Sequence, residues 1–106
     1  MKIQINTDNN INGSTTLANY ADATIRDVLE RFSERITRVE IHLSDENSDN
    51  KSGIDDKRCL LEVRLASHKP LVSTHQAATI EQALDGAAKK MVHTLDSTIG
   101  RLDKYD

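Results

Sequence analysis

Apolar and polar residues alternate in three stretches of the chain, as is typical of strands with one buried and one solvated face. Residues 2–6 alternate near the N-terminus, residues 38–43 read RVEIHL, and residues 58–65 read RCLLEVRL. A less regular stretch, residues 71–76, follows the turn sequence ASHKP. Together the four stretches predict four strands.

Elsewhere apolar residues recur at every third or fourth position, which predicts two amphipathic helices. The first is expected over residues 17–36, with Thr16 as its N-cap. Its apolar stripe consists of Leu17, Ala21, Ile25, Val28, Phe32 and Ile36. The second is expected over residues 80–102, with Thr79 as N-cap and Gln82 in the capping-box position. Its stripe consists of Ile80, Leu84, Ala87, Met91, Leu95, Ile99 and Leu102, and Gly100 is expected to fray its end.

The element order is therefore β-α-β-β-β-α, an α+β fold in which a four-stranded sheet carries both helices on one face. The strands joined by hairpins are expected to be antiparallel. The opposite face of the sheet is expected to be mixed polar and charged. On that face Arg58 and Arg64 are expected to pair across strands with Glu40 and Glu62.

The composition fits one small soluble domain over residues 1–106, because the chain is too short for two cores. Apolar residues make up 37% of the 106 residues and aromatic residues 3%, so the core must be aliphatic. The net charge of −3 is not the basic balance of an obvious nucleic-acid-binding protein. The single Cys59 favours a reducing compartment, the cytoplasm. Neither a signal peptide nor a membrane span is predicted, since no apolar run approaches about 18 residues.

The hairpin loop 44–57 is strongly acidic. Residues 44–56 hold five carboxylates and one lysine, a charge of −4 that leaves +1 for the rest of the chain. Asp45, Asn47 and Asp49 fit the first, third and fifth positions of a calcium loop. The glycine of that pattern is missing, however, and strands rather than helices flank it. The segment is therefore interpreted as a solvated hairpin loop, with a calcium site as the minor alternative.

Candidate catalytic and metal-binding groups are few. Cys59 is expected on the apolar face of its strand and His42 on the opposite face of the neighbouring strand, so they should not form a catalytic pair. His42, His68, His75 and His93 lack the spacing of a zinc site. Glycine-rich phosphate loops and a GxSxG motif are both missing from the sequence. We therefore predict no enzyme activity, no metal, no cofactor and no small-molecule substrate.

Three segments, taken in order, carry a resemblance to a known family. They are TRVEIHLSDEN on the second strand, DDKRCLLEVRL on the third, and TIEQALDGAAKKM at the start of the second helix. In this element order they resemble the ribosome hibernation-promoting factor and ribosome-associated inhibitor family, also called the sigma-54 modulation protein family. The resemblance covers nearly the whole chain, and IEQALDG is its most telling part. The length matches the short, single-domain form.

The resemblance implies a fold similar to a double-stranded-RNA-binding domain, in a bacterial cytoplasmic protein of stationary phase or stress. It also implies binding to the small ribosomal subunit or the 70S ribosome, through rRNA and ribosomal proteins. Translation would be silenced by occlusion of the mRNA and tRNA channel, without a catalysed reaction. Basic side chains aimed at rRNA phosphates would carry this binding. The candidate rRNA-binding residues are Lys89, Lys90, Arg26, Arg31 and Arg101.

Acidic neighbours of these candidates predict local neutralisation. On the first helix Arg26, Arg31 and Arg35 interleave with Asp27, Glu30 and Glu34 at helical spacing. On the second helix Asp96 and Asp103 interrupt the basic residues. Two other functions stay open. One is a protein-interaction module that uses the acidic loop or the outward sheet face without ribosome binding. The other, less favoured, is a small enzyme or metal protein.

Overall fold

The elements follow the predicted order β-α-β-β-β-α in a computed structural model, which describes residues 1–8, 11, 14–45 and 57–104. They are β1 (Lys2–Thr7), α1 (Thr15–Val28), β2 (Ile36–Asp45), β3 (Lys57–Leu65), β4 (Leu71–Ala77) and α2 (Ile80–Lys104). A 3-10 turn, Glu30–Phe32, lies between α1 and β2. Both interpretations of the acidic loop, as a solvated hairpin and as a calcium site, depend on residues 46–56, which lie outside the described residues.

The four strands form one mixed sheet in the order β1-β2-β3-β4. The pairs β2–β3 and β3–β4 are antiparallel, as predicted for strands joined by hairpins, whereas β1 runs parallel to β2. Parallel neighbours need a crossover connection, and α1 with the 3-10 turn provides it. The sheet therefore ends in two edge strands, β1 and β4.

One face of this sheet is buried because each strand presents its aliphatic residues to the helices. The buried pairs between β2 and β3 are Ile36–Leu65, Val39–Val63, Ile41–Leu61 and Leu43–Cys59. The helices complete the core with Ala21 and Ile25 from α1 and with Leu84, Ala87, Met91 and Leu95 from α2. Full burial of each large aliphatic side chain contributes about 1.5–3 kcal/mol, so this face supplies most of the stability of the fold.

The first helix differs from the prediction at both ends. Its N-cap is Ser14, whose Oγ accepts a hydrogen bond from the backbone N–H of Leu17 at 3.0 Å, and not Thr16. It ends at Val28 rather than at residue 36, because Leu29 leaves the helical conformation. Phe32 is then buried by the 3-10 turn and Ile36 is the first residue of β2. The apolar residues keep a helical spacing from α1 through the 3-10 turn to the start of β2, and this spacing predicted one longer helix.

The second helix docks on β4 and extends past it. Thr79 is its cap as predicted, since its Oγ1 accepts a hydrogen bond from the Gln82 backbone N–H at 3.1 Å. Ser73 Oγ donates to the carbonyl oxygen of Ala87 at 2.7 Å and ties the helix to β4. The 25 residues of α2 span about 37 Å, whereas the 7 residues of β4 span about 23 Å.

The last turns of α2 therefore leave the core. Leu102, predicted to belong to the buried stripe, is 38% exposed. Gly100 does not end the helix, which continues to Lys104. Among the described residues, no helix combines the length and the apolar character needed to cross a membrane.

Candidate functional site

The charged side chains of α2 separate into two groups on its solvent-exposed side. At about 100° per residue, the acidic residues occupy an arc of about 60°, and the basic residues occupy the adjoining arc of about 120°. The acidic face consists of Glu81, Asp85, Asp96 and Asp103. The basic face consists of Lys89, Lys90, His93, Arg101 and Lys104. All of these residues are exposed, so the two faces are presented to solvent side by side.

Contacts with neighbouring elements fix the direction of each face. Lys90 Nζ donates a hydrogen bond to the carbonyl oxygen of Thr74 in β4 at 2.8 Å. Asp96 and Asp103 instead meet arginines of the segment between α1 and β2. The basic face therefore lies on the side of the β4 edge, and the acidic face lies on the side of α1.

The basic face brings together Lys89, Lys90 and Arg101, three of the five predicted contact residues. Lys89 and Arg101 form no hydrogen bond or ion pair with any described residue, so both cations are available to a ligand. From Lys89 to Lys104 the face extends about 22 Å along the axis at 1.5 Å per residue. His93 and Lys104 were not among the predicted contact residues. The helical period applied to charged residues, as it was to apolar ones, would have found them.

Arg26 lies apart from this face, on α1. Its Nε donates to Asp22 Oδ1 at 2.7 Å, and its Nη1 donates to the carbonyl oxygen of Met1 at 3.4 Å. An open cleft of about 400 Å³ beside it is lined by Met1, Arg26, Asp27, Glu30 and Ser33. Charges of both signs line this cleft, so it does not extend the basic surface.

Arg31 and Arg35 pair with α2. Arg31 Nη1 and Nη2 donate to the two carboxylate oxygens of Asp96, each at 2.9 Å, and its guanidinium lies 4.3 Å from the centroid of the Phe32 ring. Arg35 Nη2 donates to Asp103 Oδ1 at 2.5 Å. These pairs join the segment after α1 to the C-terminal half of α2.

The predicted neutralisation by carboxylates of the first helix is therefore wrong for these two arginines. The reason is that α1 ends at Val28, so helical spacing no longer decides which side chains meet. Among the described arginines of this region, Arg26 alone has a partner four residues away, and that partner is Asp22 rather than Asp27 or Glu30. The hydrogen bond from Arg31 holds the pKa of the Asp96 carboxyl below its usual value, and the same bond raises the pKa of Arg31. Asp96 is consequently an anion at neutral pH.

The outward sheet face carries charges that neutralise one another along strands. Arg38 Nε donates to Glu40 Oε2 at 2.9 Å, and Arg64 Nη2 lies 3.6 Å from Glu62 Oε1. Like charges stand directly opposite across the ladder, Arg38 beside Arg64 and Glu40 beside Glu62. Among the described residues the expected cross-strand pairing is therefore limited to attraction between the charges of Arg64 and Glu40, without a direct ion pair. The hydrogen bond from Arg38 holds the pKa of Glu40 below its usual value. His42 Nε2 also lies 3.4 Å from Glu40 Oε1. The outward face as a whole therefore carries charges of both signs.

Cys59 is a core residue, as the alternation predicts. It is fully buried, and burial raises the pKa of its thiol to about 12. His42 is on the other face, as predicted, but the register places His75 of β4 opposite Cys59, a neighbour that was not predicted. A thiol that stays protonated is a poor nucleophile. Within the described ranges, no group of three or more His, Cys, Asp or Glu side chains is arranged to hold a metal ion.

Comparison with known proteins agrees with this architecture. A ribosomal subunit interface protein from Coxiella burnetii has a similar structure, with a TM-score of 0.72 and 16% identity over 94% of this chain and 99% of that one. The N-terminal domain of Protein Y from Thermus thermophilus has a TM-score of 0.73 and 14% identity over 92% of this chain and 99% of that one. At such identities these likenesses establish the fold alone. No match is found among curated proteins.

The family is shown by the sequence itself. A profile described as sigma 54 modulation protein / S30EA ribosomal protein matches residues 3–103, nearly the whole chain. This match confirms the resemblance carried by the strands and by the opening of the second helix. The chain belongs to the sigma 54 modulation protein / S30EA ribosomal protein family, a family of ribosome-associated proteins that are not enzymes.

Proposed function

We propose that this protein binds the small ribosomal subunit through rRNA phosphates and silences translation by occluding the mRNA and tRNA channel. The observation that carries the proposal is the basic face of α2, in a member of a ribosome-associated family. A net charge of −3 opposes binding to RNA at long range. The segregation of the basic residues still offers phosphates a local cationic surface.

The chemistry of this face suits an RNA backbone. Each lysine or arginine that neutralises a phosphate releases counterions, so affinity falls as salt rises and little base sequence is read. Double-stranded RNA is recognised mostly by shape and by backbone contacts. Lys89 and Arg101 are the principal contacts in this proposal because neither is held by another described side chain. Lys90, His93 and Lys104 extend the same surface.

The proposal includes the wider expectations drawn from the family. The target is the small subunit, alone or within the 70S ribosome, and the protein acts in the cytoplasm. Residues 1–106 act as one domain, without a cofactor or a small-molecule substrate. Steric occlusion requires only tight placement of a rigid body, and the aliphatic core of the sheet and helices supplies that rigidity.

Sedimentation tests the proposal directly. Purified ribosomes and the protein are run on sucrose gradients at low and at moderate salt. The protein should migrate with the small subunit or the 70S particle at low salt and be lost as salt rises. Lys89→Glu should weaken this association, and the slope of log affinity against log salt should become shallower by about 0.7–0.9.

Lys2→Glu is the matched control. Lys2 is an exposed lysine of β1, and its register partner Arg38 lies on the outward sheet face. Lys2→Glu makes the same change of charge as Lys89→Glu but on the opposite side of the molecule, so it should leave association with ribosomes nearly unchanged. Equal loss in the two variants would mean that only net charge matters. Association that survives Lys89→Glu with Lys90→Glu would refute the α2 contact and favour a protein partner on the outward sheet face.

A further inference from the structure

Two arginines beside the acidic face are occupied by carboxylates of the same chain. The Asp96 carboxylate accepts hydrogen bonds from Nη1 and Nη2 of Arg31, and Asp103 accepts one from Nη2 of Arg35. A planar guanidinium binds a carboxylate or a phosphate through the same pair of parallel hydrogen bonds. Asp96 and Asp103 therefore hold the groups that an RNA phosphate would bind.

The pairs are placed where exchange is feasible. The side chains of Arg31 and Asp96 are 60% and 50% exposed, and both partners of the Arg35–Asp103 pair are exposed as well. Solvent-exposed ion pairs are weak and are screened by salt, so a phosphate can replace a carboxylate without breaking into the core. His93 of the basic face lies three residues before Asp96, on the adjoining turn. Released arginines would thus widen the surface that already carries Lys89.

We propose that Asp96 and Asp103 are intramolecular competitors of RNA phosphate for Arg31 and Arg35, and that they limit the affinity of the protein for the ribosome. The inference rests on the proposed function and adds a restraint to it. In the unliganded protein the basic face is ready to meet phosphates, whereas Arg31 and Arg35 are held by carboxylates. The two arginines form a second set of contacts that becomes available when the carboxylates are neutralised or displaced.

The test compares two substitutions that remove the same charge from the acidic face. Asp96→Asn releases Arg31, whereas Asp85→Asn removes a carboxylate that has no ion pair among the described residues. Ribosome association of each variant is measured across a salt series. Asp96→Asn should steepen the slope of log affinity against log salt by about 0.7–0.9. Between 50 and 200 mM salt, the affinity of this variant should therefore fall by a factor about three times larger than that of the wild type. Asp85→Asn should leave the slope as in the wild type.

Arg31→Gln in both backgrounds identifies the group responsible. In the wild type the substitution should leave the slope unchanged, because Arg31 is held by Asp96. In the Asp96→Asn background it should cancel the increase. Thermal melts verify that each variant is folded. The inference is overturned if Asp96→Asn and Asp85→Asn behave alike, or if Arg31→Gln flattens the slope in the wild type, since Arg31 would then already contact phosphate.

These outcomes are separable from failure of the proposed function. Loss of binding in Lys89→Glu tests the basic face and does not depend on Asp96. If the wild-type protein does not associate with ribosomes at low salt, Asp96→Asn with Asp103→Asn becomes the decisive variant. Association gained by that double variant supports the competition, and its continued lack of association overturns it.

Discussion

Gly86 lies where α2 packs closely against the side chain of His75 in β4. A Cβ built on Gly86 would lie 2.0 Å from Cδ2 and 2.3 Å from Cγ of His75, well inside van der Waals contact. The clash involves the base of the imidazole ring, so the whole ring would have to move. Gly86→Ala would gain about 0.8–1 kcal/mol of helix propensity but incur an overpacking cost of about 1–3 kcal/mol. We therefore expect it to be neutral or to destabilise the protein by up to about 2 kcal/mol.

Gly100→Ala is the matched control, because a Cβ there meets nothing within 4 Å. That variant should be more stable than the wild type by up to about 1 kcal/mol, the propensity gain alone. Urea unfolding at 25 °C measures both variants. The difference between the unfolding free energies of the two variants should equal the overpacking cost. Each 1 kcal/mol corresponds to about 4–8 °C in Tm for a domain near this size.

Removal of the ring completes the test. In a His75→Ala background, Gly86→Ala should stabilise the protein by about 0.8–1 kcal/mol, because the obstruction has gone and the propensity gain remains. The coupling between the two positions should therefore match the overpacking cost. The reasoning would be refuted if Gly86→Ala stabilised the wild type as much as Gly100→Ala does.

Other substitutions test three local features of the fold. Ser14→Ala should cost about 1 kcal/mol in urea unfolding because it removes the cap of α1, whereas Thr16→Ala should have little effect. The Cys59 thiol should resist a disulfide reagent at pH 8 until urea unfolds the chain. Its pKa of about 12 lies above the unfolded value, so stability should fall as pH rises from about 9 towards 12, and Cys59→Ala should reduce that loss. Asp96 has a depressed pKa, so its contribution to the stability of the folded state is present above about pH 4 and is lost on acidification. Asp96→Asn should accordingly flatten the stability profile below pH 4, and an unchanged acid profile would contradict the Arg31 pairing.

Most of the fold could be predicted from the sequence because its strongest signals are local. Strict alternation identified β2 and β3, and the inward side of Cys59 followed from its position in that pattern. The end of α1 could not be predicted in this way. Leu29, Phe32 and Ile36 are all buried, yet they belong successively to a helix cap, a 3-10 turn and a strand. Spacing of apolar residues alone does not distinguish these cases.

The candidate site was less predictable because its decisive contacts join distant residues. Arg31 and Asp96 are 65 positions apart, so their pairing depends on how the segment after α1 lies against α2. The close approach of Gly86 to His75 likewise depends on the docking of α2 against β4. The basic face itself was within reach of the sequence, since it follows from the period of α2 once that helix is known.

The separation of charge on α2 has a consequence for how the protein meets a polyanion. With a net charge of −3, the molecule as a whole is repelled by RNA at distances where only total charge is felt. Within about one Debye length, roughly 8–10 Å at physiological salt, the two faces are felt separately. The resulting torque turns the basic face towards the polyanion, and approach through the acidic face is opposed by electrostatic repulsion. The charge distribution would therefore favour approach in one orientation, with the basic face of α2 towards the polyanion.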